Sequence, residues 1–341
     1  MEKGFDPNGV GIANGNIFGF PVSYMEADIV LYPIPWDATA SYGRGTAGGP
    51  ESILRESTQL DFYNPFLEEA YNTKVYWQAI DPRWERVNED LSNQTTDYID
   101  FLEDGGVLKD SEKYSSLVKE MNAVQLTLKE EYKGKIVKDI QQGKCVGIIG
   151  GEHSSPLALL EALAEVYDFG ILQIDAHADL RDAYENFEQS HASIMFNALK
   201  LKSVEKLVQV GIRDIAQSEV DIIEAHPKRI KCFYDWDLKR ETFEGKTWKA
   251  QVEEIIAALP SKVYISYDID GLKPALCPNT GTPVPGGFDL EQINYLIYSL
   301  AESDKQIIGF DLCEVGNDPW DANVGARALW NVICALQLNK K

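Results

Sequence analysis

From Cys145 onward the chain alternates short apolar runs with stretches whose apolar residues recur at helical spacing, the pattern of a parallel α/β sheet. The runs are Cys145 to Ile149, Phe169 to Ile174, Leu207 to Ile212, Ile230 to Tyr234, Val263 to Tyr267 and Gln306 to Phe310, with Ile29 to Pro33 as an earlier first strand. Pro156 to Tyr167, Val220 to Ala225, Trp248 to Leu259, Leu290 to Ser303 and Ala326 to Leu336 read as intervening or closing helices. The pattern predicts a three-layer α/β/α fold with a mostly parallel central sheet. Five of the strands end in polar or charged residues, and open α/β sheets bind ligands beyond the carboxyl ends of their strands.

Two stretches depart from this rhythm. Ser41 to Pro50 is rich in glycine and leads into a helical pattern from Pro50 to Ser57. It lacks the Lys-Ser/Thr ending of a phosphate loop, and its glycine spacing fits no dinucleotide fingerprint, so it reads as a loop packed beside an active site. From about Val75 to Gly134 an aromatic, acidic stretch gives way to a charged helix, broadly Lys113 to Lys144. We read 75–134 as an insertion, and about residues 1–25 as an N-terminal extension, of a single domain spanning 1–341.

Charge narrows the set of partners. The 341 residues carry 54 acids against 32 bases, a net charge of −22, which argues against nucleic acid or an anionic membrane and favours a small cation. Most of these acids read as a solvated surface. The five cysteines, Cys145, Cys232, Cys277, Cys313 and Cys334, are odd in number and widely spaced, so they read as reduced thiols. Met1 to Phe5 shows neither a basic nor an apolar targeting region, and no apolar run reaches membrane-spanning length. A cytoplasmic protein is expected.

The candidate chemistry sits at strand ends. Asp175, His177 and Asp179 alternate after the run Phe169 to Leu172, and alternate residues of an extended segment face one side. Asp268 and Asp270 repeat the spacing after Val263 to Ile265, and the turn Gly150 to Pro156 presents His153. A lone histidine at a strand end is more often scaffold than ligand. Here four carboxylates and two imidazoles fall at equivalent strand ends, enough for two ions with shared carboxylates. Such a set, without cysteine, suits Mn²⁺ or a similar divalent ion.

These blocks, with the long stretch from Ser266 through Pro274 to Thr280–Gly287, resemble the ureohydrolase family of arginases, agmatinases and formimidoylglutamases, from Ala27 to about Val315. The resemblance implies an arginase-like fold. It also implies two Mn²⁺, with Ni²⁺ as the alternative, one held by His153, Asp175, Asp179 and Asp268 and the other by Asp175, His177, Asp268 and Asp270. Glu314 would hold the guanidinium, His191 would shuttle protons or contact substrate, and Asp179 or a histidine would protonate the departing amine. A homotrimer or homohexamer is implied. His226, without a partner motif, reads as structural or surface, and Asp214 as a strand-end structural acid.

Departures from the family pattern bear on the substrate. Glu152 replaces a more frequent aspartate, and Lys273 stands where an aspartate is usual. Arg181 replaces the asparagine with which arginases grip a carboxylate, and Ala216 lacks the carboxylate that they direct to an amino group. Arginine is therefore disfavoured; Trp36, Tyr42 and Phe196 fall near the expected active-site loops, and small guanidines are favoured over agmatine if they and the insertion narrow the entrance, agmatine if the pocket stays open. Phe196-Asn197, the extension and the insertion are similar to the branch that hydrolyses free guanidine. The expected function is a binuclear-metal ureohydrolase releasing urea from a small cationic guanidino substrate, agmatine or free guanidine. Formimidoylglutamase activity, which requires cations such as Arg44 or Arg181 near the pocket, and a catalytically silent metal-binding scaffold are the rivals.

Overall fold

A computed structural model describes residues 5–340. Met1 to Gly4, where the reading for targeting signals begins, and Lys341 lie outside the described residues. The strands are β1 (Ile29–Ile34), β2 (Val75–Trp77), β3 (Cys145–Gly150), β4 (Phe169–Ile174), β5 (Val204–Val210), β6 (Ile230–Phe233), β7 (Lys262–Asp268) and β8 (Gln306–Cys313). They form one sheet in the order β2-β1-β3-β8-β7-β4-β5-β6. Every pairing in it is parallel.

The helices are α1 (Gly49–Glu56), α2 (Pro82–Glu103), α3 (Glu112–Gln141), α4 (Leu157–Ala164), α5 (Ile194–Lys200), α6 (Gln217–Ala225), α7 (Asp235–Phe243), α8 (Trp248–Ala257), α9 (Leu290–Glu302) and α10 (Pro319–Asn339). They cover both faces of the sheet, which explains why its strands read as unbroken apolar runs. Ile29 and Leu31 of β1 pack into one core while Val30, Tyr32 and Ile34 pack into the other. Leu172 and Ile174 of β4 are likewise separated from Phe169 and Ile171. That period of two, buried on both sides, is the three-layer architecture expected from the sequence.

Some elements escape the sequence pattern for local reasons. Val75 begins the edge strand β2 rather than a break in the rhythm, but three residues are too few to show a period. Helix α7 buries only Asp235 and Leu238, so it carries almost no apolar signal. Helix α10 starts at Pro319, ahead of its long apolar stretch, where Asp318 accepts a hydrogen bond from the Trp320 N–H and proline occupies the first turn. Among the described residues, no helix is long and apolar enough to cross a membrane. All five cysteines are free.

Candidate metal centre

The strands β3, β8, β7 and β4 are consecutive neighbours in the middle of the sheet, and their carboxyl ends deliver the predicted residues to one place. The turn after β3 supplies His153, β8 runs into Glu314, β7 ends in Asp268 with Asp270 in the following short turn, and the loop after β4 supplies Asp175, His177 and Asp179. Simple strand alternation does not produce the convergence. Asp179 lies past the strand at φ 54° and Glu314 at φ 63°, a left-handed conformation that costs a residue with a Cβ and is found disproportionately at functional sites.

His153 Nδ1 lies 2.9 Å from Asp179 Oδ2, 3.1 Å from Asp175 Oδ2 and 3.3 Å from Asp268 Oδ2. His177 Nδ1 lies 2.9 Å from Asp270 Oδ2 and 3.7 Å from Asp175 Oδ1. Two groups of donor atoms suited to a metal ion result, His153–Asp175–Asp179 and Asp175–His177–Asp270, and Asp175 belongs to both. Asp268 stands beside the first group, with its Oδ1 accepting the Asp270 N–H at 2.8 Å. Glu314 Oε1 accepts the His153 N–H at 2.8 Å.

The electrostatics follow from packing these acids together out of water. Burial, reinforced by the charges of Asp179 and Asp270, pushes Asp175 up to about 7. Burial and the charges of Asp270 and Asp175 push Asp268 far above the usual carboxylate range, and burial with the Glu152 charge does the same to Glu314. Burial alone would lower both imidazoles, yet hydrogen bonds to Asp175 and Asp179 raise His153, and the Asp270 charge raises His177 to about 10. Like charges packed out of water and histidines drawn toward protonation describe a site that demands cations. The donor set of imidazole nitrogen and carboxylate oxygen fits divalent ions of the Mn²⁺ type.

Beside the acids opens a cavity of about 140 Å³ lined by Ser41, His177, Asp179, Arg181, Tyr184, His191, Ala192, Asp214, Glu219 and Thr282. His191 Nε2 is 3.2 Å from Ser41 Oγ, and its buried Nδ1 has no hydrogen-bond partner. Burial holds this imidazole down at about 4, so it is neutral. Arg181 stacks its guanidinium 4.4 Å above the Tyr184 ring and comes within 3.7 Å of Glu219. Glu314 does not line the cavity; it lies behind His153 against Gly281, where a Cβ would stand 2.9 Å from Glu314 Oε2.

A profile of the arginase family matches residues 27–336. The chain belongs to the arginase family. The N(1)-aminopropylagmatine ureohydrolase of Synechocystis sp. is 32% identical over 299 residues, covering 86% of this chain and 83% of the relative. The agmatinase of Halalkalibacterium halodurans is 28% identical, covering 86% and 85%. The agmatine ureohydrolase structure of Thermoplasma volcanium shares the fold, with a TM-score of 0.70 at 23% identity over 95% of this chain and 94% of that one.

Within this arginase-family scaffold the structure adds residues that the sequence did not single out. Gln173 Nε2 donates to Asp175 Oδ2 at 2.8 Å, and Gln209 in turn donates to Gln173 at 2.7 Å. Ser266 Oγ lies 2.8 Å and Asp311 Oδ1 3.6 Å from His153 Nε2. Such partners orient ligands. Their one signal in the sequence is a polar residue inside an apolar strand. Glu152 ties the turn to its neighbours through Thr39 and Ser154, while Lys273 pairs with Asp289.

Of the two alternatives left for the entrance, crowding by the three aromatics is not what the structure shows. Trp36 is buried against Trp84, Tyr42 is 84% exposed, and Phe196 packs under Lys200; none lines the cavity, and Tyr184 does. His226 is exposed at the end of α6, whereas Asp214 reaches the cavity wall, 4.0 Å from His177.

Proposed function

We propose that the chain is a binuclear-metal ureohydrolase that adds water to the guanidino carbon of a small cationic substrate. The observation that carries this reading is the pair of histidine–carboxylate groups sharing Asp175 beside a cavity. His153, Asp175, Asp179 and Asp268 would hold one ion, and Asp175, His177, Asp268 and Asp270 the other. Bound there, two divalent ions supply the Lewis acidity that makes water nucleophilic near neutral pH. Mn²⁺ is the metal proposed, with Ni²⁺ the alternative, in a cytoplasmic homotrimer or homohexamer as the family resemblance implies.

The chain's own groups account for the remaining steps. Glu314 stands beside His153 rather than on the cavity wall, so its carboxylate would meet the guanidinium only where the reacting carbon reaches the His153 end of the centre. The oxygen of water joins the central carbon as Asp179 takes up its proton, one C–N bond breaks, and the departing nitrogen receives that proton from Asp179 directly or by relay through the neutral His191 at the cavity wall. The products are urea and an amine, or ammonia when the substrate is guanidine itself. Asp214 faces the cavity and favours a cationic tail, and the relatives' names point to agmatine and its aminopropyl derivative. Arg181 is paired with Glu219, and Arg44 is engaged by Asp37 O and Thr95 Oγ1. Neither is therefore free for an acidic substrate, which counts against formimidoylglutamase.

Urea release from agmatine, guanidine, guanidinobutyrate, arginine and formiminoglutamate, measured after separate reconstitution with Mn²⁺ and Ni²⁺, tests the reading. Agmatine or guanidine should show the highest kcat/KM. A value for arginine equal to or above both overturns the substrate assignment. Two bound ions without urea release from any compound would leave the scaffold reading in its place.

A further inference from the structure

The loop from Ala183 to Gln189 has an unusual backbone and unusual supports. Ala183, Glu185 and Asn186 all adopt positive φ, at 54°, 52° and 66°. None is glycine, so surrounding structure must hold the loop in place. Tyr184, between them, turns its ring to the cavity, under the Arg181 guanidinium and edge-on to His191 at 5.9 Å.

The supports come from the two helices that precede β3. Tyr98 of α2 donates its hydroxyl to Glu185 O at 3.1 Å and accepts from Asn186 Nδ2 at 2.8 Å. Asn122 of α3 donates to Asn186 O at 3.2 Å and accepts from the Glu188 N–H at 2.9 Å. Gln125, one turn further along α3, donates to Gln189 O at 2.8 Å. Tyr98 is fully buried, with its ring packed against Tyr114 of α3 and against Phe187 of the loop itself, so the anchor on α2 grips the loop by packing as well as by hydrogen bonds. None of these three side chains lines the cavity. Each bonds the loop through backbone or amide groups flanking Tyr184.

We propose that Tyr98, Asn122 and Gln125 are positioning residues that clamp the 183–189 loop, hold Tyr184 on the cavity wall and thereby limit the length of the substrate tail. The proposal rests on the ureohydrolase reading. It gives the α2–α3 hairpin a role in specificity: a short guanidino compound fits beneath the clamped tyrosine, and a tail lengthened by an aminopropyl group is admitted only when the loop yields.

Tyr98→Phe removes both bonds and keeps the ring, and Asn122→Ala removes two more from a partly exposed position. Hydrogen exchange at amides 184–189 and the kinetics of agmatine against N(1)-aminopropylagmatine are measured on the metal-loaded enzyme. Loss of four hydrogen bonds worth about 1 kcal/mol each should speed exchange in the loop by up to about a thousandfold for the double variant. The kcat/KM preference for agmatine should fall about tenfold, chiefly through KM, with metal content unchanged. Unchanged exchange overturns the clamp, and faster exchange with an unchanged preference overturns its role in specificity. A wild-type enzyme inactive on every guanidino compound would instead defeat the ureohydrolase reading, and exchange at 184–189 would still decide whether the clamp exists.

Discussion

Asp175 shows how much one carboxylate can be asked to do. Its Oδ2 faces His153 and accepts from Gln173, while its Oδ1 faces His177 and accepts the His177 N–H at 2.6 Å. Asp175→Ala should therefore abolish urea release and strip both ions, as read by metal analysis; two retained ions with normal turnover would remove Asp175 from the centre. Gln173→Leu takes away an orienting donor of Asp175, together with its bonds to His177 O and Gln209, and metal affinity should fall by about 10–100-fold. Glu314→Gln preserves shape and the acceptor for the His153 N–H but discards the charge. Metal content should hold while turnover falls about a hundredfold, the scale of losing one electrostatic partner of the reacting group; unchanged kinetics on the best substrate would place the guanidinium elsewhere.

At the scale of elements, strands and acids were legible because both obey short periods or close spacings. Asp175, His177, Asp179, Asp268 and Asp270 stand out at the ends of apolar runs, and the runs place them on neighbouring strands. The supports were not legible. Tyr98 and Asn122 reach the 183–189 loop across more than 60 positions of sequence, and no local pattern encodes such a contact. The glycine-rich loop lies between these cases, since its packing beside the site was readable but its partner was not. Gly43 N–H donates to Gly281 O at 3.0 Å, joining the loop to the segment that backs Glu314. Gly281→Ala forces a methyl group to 2.9 Å from Glu314 Oε2, so the carboxylate must shift. Lower kcat/KM with intact metal is expected, because a misplacement of about 1 Å can cost about a hundredfold; full activity would show that Glu314 tolerates displacement.

For the whole molecule, the buried acids make stability depend jointly on metal and pH. In the metal-free chain Asp175 is pushed from 3.8 up to about 7 by burial and like charges, and Glu152 from 4.5 up to about 7 by burial. A group whose folded pKa exceeds its unfolded value binds protons more tightly when folded, so its contribution is full below the unfolded pKa and is lost as pH rises through the folded one. The metal-free fold should thus weaken between about pH 4 and pH 7. Divalent ions at Asp175 replace the proton with a stronger partner, and they bind better as pH rises because the ligands must be deprotonated. At free metal about 100-fold above Kd the stabilisation is about 2.7 kcal/mol. Thermal melts of chelator-treated and Mn²⁺-reconstituted protein at pH 5.5 and 7.5 should show a gap in Tm that widens at the higher pH. A gap of the same size at both values would mean that the acid cluster is not where the ions bind.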